Sequence, residues 1–321
     1  MKIFGITLAI VLTATASAWP QVPPDIAARL RTIGPTVDPA ATAAIYRPLH
    51  RKAPYPGVTV TRDISYGPDP RQIIDVFAPA LTIARPPAVP PAVTAPPVAP
   101  PAVPAVPAAA PAIAAPRPVL VFVSGGAGNK IERVPDGDAF YDNVMLWAVK
   151  NGMTGVNVQR LGGTDGGLAA ANDVALVIQW IQQNIARYSG DPNRVFIWAH
   201  SSGTGPVAAY VASPETPEHK GHGLDGAVLM GASSAILPPA VVAAVRKTGI
   251  PLFVGAGEID VAGAVTWVAS VRDGVRDETC DAACPTTMLF RDHSHMSAVF
   301  SPNTADDSVT GPILKWMSSV K

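Results

Sequence analysis

Ala199-His200-Ser201-Ser202-Gly203 sets a serine among small neighbours, directly after the apolar run Val195-Phe196-Ile197-Trp198 and ahead of a helix-like segment. The pattern matches a Gly-x-Ser-x-Gly turn between a strand and a helix, with Ala in place of the first Gly. Small residues matter there because the chain reverses sharply around a serine held on strained backbone. A hydroxyl is a weak nucleophile until a base takes its proton, and the base needs an acceptor to hold its tautomer. An acid and then a histidine follow in that order. Gly257-Glu258-Ile259-Asp260 succeeds the strand-like run Leu252 to Gly255, and Asp292-His293-Ser294-His295 succeeds Thr287 to Phe290. Asp260 is the expected acid, with Glu258 in reserve, and His295 is the expected base.

The remaining histidines fit the role less well. His50 precedes the sheet, and His219 and His222 fall in a polar stretch ahead of the acid. His200 adjoins Ser201, and consecutive side chains in a strand point apart. His293 is read as a loop residue supporting its neighbour. Acyl transfer also develops a negative oxygen, which calls for preorganised backbone donors. The turn Ser124-Gly125-Gly126-Ala127-Gly128 after Val119 to Val123 can supply them, so Gly126, Ala127 and the Ser202 amide are the expected oxyanion hole. The turn lacks the Lys-Ser/Thr ending of a phosphate-binding Walker motif. This chemistry needs no cofactor, and the pair His293/His295 lacks a helix-spaced set of metal ligands.

These residues sit just after strand-like runs, which alternate with helical ones in the manner of parallel β-α-β units. The expected strands are Val119–Val123, Gly155–Val158, Val195–Ala199, Ala227–Met230, Leu252–Gly255 and Thr287–Phe290. Val174, Val177, Ile178, Ile181 and Ile185 keep helical spacing on one face. A mostly parallel, doubly wound α/β sheet follows, with its chemistry beyond the carboxyl ends of the strands. Val58 to Tyr66 and Ile73 to Phe77 add an N-terminal antiparallel hairpin. Before it, residues 19–54 read as a helical segment packing on the core, in which Ile26, Leu30 and Ile33 form one helical face broken by Pro35 and Pro39.

Residues 1–18 have the layout of a secretory signal peptide: Lys2, the apolar run Ile3 to Thr13, and Ala16-Ser17-Ala18. The run is too short to span a bilayer, so the expectation is an exported protein, periplasmic or secreted, with no stable membrane anchor. Residues 55–321 form the expected main domain, interrupted by a Pro/Ala-rich insert at 86–117. Thirteen of the 35 prolines lie between Pro86 and Pro118, so this stretch reads as an extended surface excursion, a spacer or a ligand for an aromatic groove on a partner. A formal net charge of zero gives no electrostatic case for nucleic acid. Cys280 and Cys284, the two cysteines of the chain, are spaced to pair locally in an oxidising compartment.

From Tyr55 onward the chain resembles the α/β-hydrolases, in their carboxylesterase and hormone-sensitive-lipase-like branch. The likeness is carried by Tyr66-Gly67-Pro68 leading to Ile74-Asp75-Val76-Phe77, the Gly-Gly turn after Val123, Gly190-Asp191-Pro192-Asn193-Arg194, Ala199 to Gly203 and the His295 loop. It implies the α/β-hydrolase fold and a Ser201–His295–Asp260 triad cleaving a small-molecule ester through an acyl-enzyme. Two departures stand out. Ser124 occupies the place where that family carries the His that orients its oxyanion loop, and the Pro/Ala insert is additional. The same triad also serves amide-directed enzymes such as arylformamidases and peptidases. A non-catalytic surface protein using the Pro-rich segment is the reading from another class.

Overall fold

Along Val119-Leu120-Val121-Phe122-Val123 and Val195-Phe196-Ile197-Trp198-Ala199 every side chain is apolar and buried, as strands covered on both faces require. The computed structural model describes residues 21–80, 115–131, 140–161, 168–213, 223–276 and 284–321. The signal-peptide stretch, most of the Pro/Ala insert, Cys280, His219 and His222 lie outside these residues.

The strands are β1 (Val58–Ser65), β2 (Ile73–Pro79), β3 (Arg117–Val123), β4 (Thr154–Gln159), β5 (Gly190–His200), β6 (Gly226–Met230), β7 (Leu252–Gly257) and β8 (Thr286–Phe290). They form one eight-stranded sheet in the order β1-β2-β4-β3-β5-β6-β7-β8. β1 and β2 pair antiparallel, β2 runs antiparallel to β4, and every pairing from β4 to β8 is parallel. The helices are α1 (Pro24–Ile33), α2 (Pro39–Tyr46), α3 (Asp142–Lys150), α4 (Leu168–Asn184), α5 (Thr204–Ala212), α6 (Pro239–Lys247), α7 (Ala262–Arg276), α8 (Ser297–Phe300) and α9 (Thr310–Ser319).

The two-residue period of the strands divides the core by side-chain size. Val119, Val121, Val123, Val195, Ile197 and Ala199 face one way, against α4, α5 and α7. Leu120, Phe122, Phe196, Trp198 and Phe253 face the other way, against α1, α2, α3 and α9. Helices thus cover both faces, and β3 lies between β4 and β5, where the chain changes direction across the sheet. At such a point the flanking loops diverge and open a crevice.

The hairpin and the parallel strands form where the sequence predicts them, with β3 starting two residues early, at Arg117, and β5 five residues early, at Gly190. α2 is a difference. Pro39 reads as a helix breaker, yet it starts a helix, because the first turn needs no proline N–H. Asp38 caps it, its carboxylate accepting from the Ala41 amide at 2.9 Å. Among the described residues, no helix is long and apolar enough to cross a membrane.

Candidate active site

Ser201 joins β5 to α5 with φ of +53°, a left-handed conformation that non-glycine residues rarely adopt. The reversal is sustained by close packing. A Cβ on Gly203 would lie 2.5 Å from the Ser124 carbonyl oxygen, and one on Gly125 would lie 2.6 Å from Cβ of Ser201. Neither position admits a side chain, so the β3 turn presses directly on the serine. Thr204 Oγ1 closes the elbow by donating to the Ser201 carbonyl at 2.6 Å. Ala199, the departure from Gly, is fully buried, and its methyl belongs to the core.

His295 and Asp260 come together between the ends of β8 and β7. His295 Nδ1 donates to Asp260 Oδ1 at 2.8 Å, and the side chains are 5% and 1% exposed. A proton on Nδ1 leaves Nε2 as the ring's acceptor. Asp260 Oδ1 also accepts from the Val261 amide at 2.6 Å. The two loops are joined through their backbones, Glu258 N to Phe290 O at 2.8 Å and Ile259 N to His293 O at 2.9 Å. Glu258, the reserve acid, is exposed, and its carboxylate accepts from the Asp292 amide at 3.1 Å instead of meeting His295. No hydrogen bond joins Ser201 Oγ to His295 among the described residues; in such pairs the contact tightens when substrate binds.

Gly126, at φ +55°, and Ala127 are exposed at the tip of the β3 turn. Their amides make no backbone hydrogen bond among the described residues, while the Gly128 amide returns to the Gly125 carbonyl at 3.0 Å. Ser202 Oγ donates to the Gly126 carbonyl at 3.2 Å, tying elbow to turn. Ser124, in place of the resembled family's His, closes the loop from within by donating to the Asn129 carbonyl at 2.6 Å. Arg160 N donates to the Gly128 carbonyl at 3.0 Å. Lys130, just downstream, is buried and ion-paired to Asp63 and Asp75. The turn is therefore held at both ends although the orienting His is absent.

The Carboxylesterase family matches residues 105–249. Human cocaine esterase is 33% identical over 130 residues, which make up 38% of this chain and 22% of that protein. The chain thus spans about a fifth of the length of the curated relatives it matches. Esterase B from Lactobacillus rhamnosis superposes with a TM-score of 0.57 over 92% of this chain and 95% of its own, at 13% identity. An alpha/beta hydrolase enzyme from a Medee basin deep-sea metagenome library superposes with a TM-score of 0.54 over 83% of this chain and 99% of its own, at 11% identity. With the sheet order and the elbow already described, these likenesses decide the fold. This chain has the α/β-hydrolase fold.

Two features of this site were not legible from the sequence motifs. His200 does not simply point away from the site: its ring centroid lies 4.7 Å from that of His295. Burial, and then the charge His295 would carry, push its pKa well below the usual histidine range. The second is the set of hydrogen bonds behind His293. The ring is fully buried, with Nδ1 2.9 Å from Ser297 Oγ and Nε2 2.7 Å from Ser308 Oγ. Ser308 gives its single proton to Asp306 at 2.5 Å, so it accepts from Nε2–H of a neutral His293. Burial lowers the His293 pKa to about 4, against the opposing pull of Asp306. Among the described residues no group of three or more His, Cys, Asp and Glu is arranged to hold a metal ion. Cys284 is disulfide-bonded.

Proposed function

We propose that this α/β-hydrolase is an exported serine esterase that cleaves small carboxylic esters through an acyl-enzyme. Ser201 is the nucleophile, His295 the general base and then acid, and Asp260 the carboxylate that fixes the His295 tautomer. The amides of Gly126, Ala127 and Ser202 hold the oxyanion.

The observation that carries this reading is the left-handed Ser201 at the end of β5, together with a buried His295–Asp260 pair whose Nε2 is left as acceptor. In the first step Nε2 takes the Ser201 proton as Oγ attacks the ester carbonyl. Charge moves onto the carbonyl oxygen, where fixed amides stabilise it without reorganising. Collapse of the intermediate breaks the C–O bond, and His295 returns its proton to the leaving alkoxide. Water then attacks the acyl-enzyme by the same route, releasing the acid and restoring Ser201.

Hydrolysis of p-nitrophenyl acetate, butyrate and decanoate by the full chain tests this directly. Turnover is expected for wild type and a loss of at least about 10³-fold for Ser201→Ala. The chain-length preference sizes the acyl site. Wild-type protein inert toward all three esters overturns the proposal.

A further inference from the structure

The side chain of His200 is unaccounted for by the triad, yet it is 1% exposed and lies against the proposed base. Its Nε2 is 3.1 Å from the backbone carbonyl of His295. A carbonyl only accepts, so Nε2 carries the proton and donates. Nδ1 of the same ring is buried with no hydrogen-bond partner. A buried polar atom is ordinarily satisfied, so an apolar residue would fill this place at less cost if packing were the only requirement.

We propose that His200 is a positioning residue: it ties the end of β5, one residue before Ser201, to the backbone of His295, so that nucleophile and base are held in register through a single side chain. This rests on the esterase reading above.

The geometry supports this in three ways. His200 is the last paired residue of β5, opposite Met230 in β6, so its backbone has the rigidity of the sheet. Its partner is the carbonyl of His295 itself rather than of a neighbour, so the bond fixes the residue whose ring must meet both Asp260 and Ser201. The ring also stays uncharged where it contacts His295, because burial opposes its protonation. A base that must accept a proton therefore has no competing cation beside it. His293, with Ser297 and Ser308, supports the His295 loop from behind; of these side chains, His200 alone links it to the elbow strand.

The test compares two amides of identical chemistry and different reach. In His200→Gln the side-chain nitrogen extends to the place of Nε2 and keeps the donor. In His200→Asn it reaches the place of Nδ1, where no acceptor lies within hydrogen-bonding distance. With p-nitrophenyl butyrate, His200→Asn is expected to lose about tenfold or more in kcat with KM within about twofold, the pattern of a lost transition-state interaction. His200→Gln is expected to stay within about threefold of wild type. Imidazole NMR of the same proteins needs no turnover: the downfield Nδ1–H signal of His295 bonded to Asp260 should persist in His200→Gln and be lost or displaced in His200→Asn. Equal kcat and equal spectra for the two variants overturn the positioning role, even with an active wild type. An inert wild type that still shows the difference in spectra overturns the esterase reading and leaves the tie between the two elements in place.

Discussion

Asp260 and Glu258 stand two residues apart in one loop, and their environments separate them. Asp260 is buried and bonded to His295; Glu258 is exposed and caps the Asp292 amide. Sequence order alone admits either as the acid, because both follow the same strand and both types accept a hydrogen bond. Direction decides between them, and direction depends on where β7 ends. Asp260→Asn removes the acceptor that holds Nδ1–H and frees the wrong tautomer, so ester turnover should fall by about 10⁴-fold, as for triads in general. Glu258→Gln keeps an acceptor for Asp292 and should change kcat/KM by less than about threefold. Steady-state kinetics on the two variants separate the roles, and a larger loss for Glu258→Gln would reverse the assignment.

At the scale of elements, the stretch from Asp292 to Ser308 is held by the N-terminal helices as much as by the sheet. Tyr46 at the end of α2 donates to buried Asp306 at 3.1 Å. His50 Nε2 meets the Phe300 carbonyl at 2.7 Å, and Arg31 of α1 pairs with Asp292 at 2.7 Å. These contacts span about 250 residues of sequence, so no local pattern could announce them. The helical period of Ile26 and Leu30 does reveal that α1 has a face to bury. The two kinds of contact should differ in worth. Tyr46→Phe removes one hydrogen bond to a buried carboxylate and should cost about 1–3 kcal/mol. Arg31→Ala breaks a pair whose arginine is 55% exposed and should cost less than about 1 kcal/mol. Urea denaturation of both variants checks the order; equal losses would mean that α2 is not bound to this loop as described.

For the whole molecule, most of the fold was legible because the strands are unbroken apolar runs and the site residues sit where such runs end. Gly-rich turns after Val123 and around Ser201 mark the crevice from sequence alone. What stayed hidden depends on side chains meeting across the sheet: the His200 tie, the neutral His293, and the ion cluster in which Arg62 bridges Asp75 and Asp142 while Lys130 pairs with Asp75. The buried histidines also set an acid limit. His293 binds its proton near 6.5 when unfolded but only at about 4 when folded, and burial lowers His50 and His200 in the same sense. Between those values unfolding takes up protons, so this contribution is complete above about pH 6.5 and is lost progressively as pH falls toward 4. Urea midpoints at pH 7.5, 5.5 and 4.5 should decline in that order; a flat profile would show that these rings are not neutral and buried. The central claim, that Ser201 is an activated nucleophile, is tested most directly by treating the full chain with a fluorophosphonate and mapping the adduct by mass spectrometry. One adduct per chain on Ser201, absent in Ser201→Ala and formed far more slowly in His295→Gln, is the expected result. A wild-type chain that stays unlabelled, or carries the label on another residue, would contradict it.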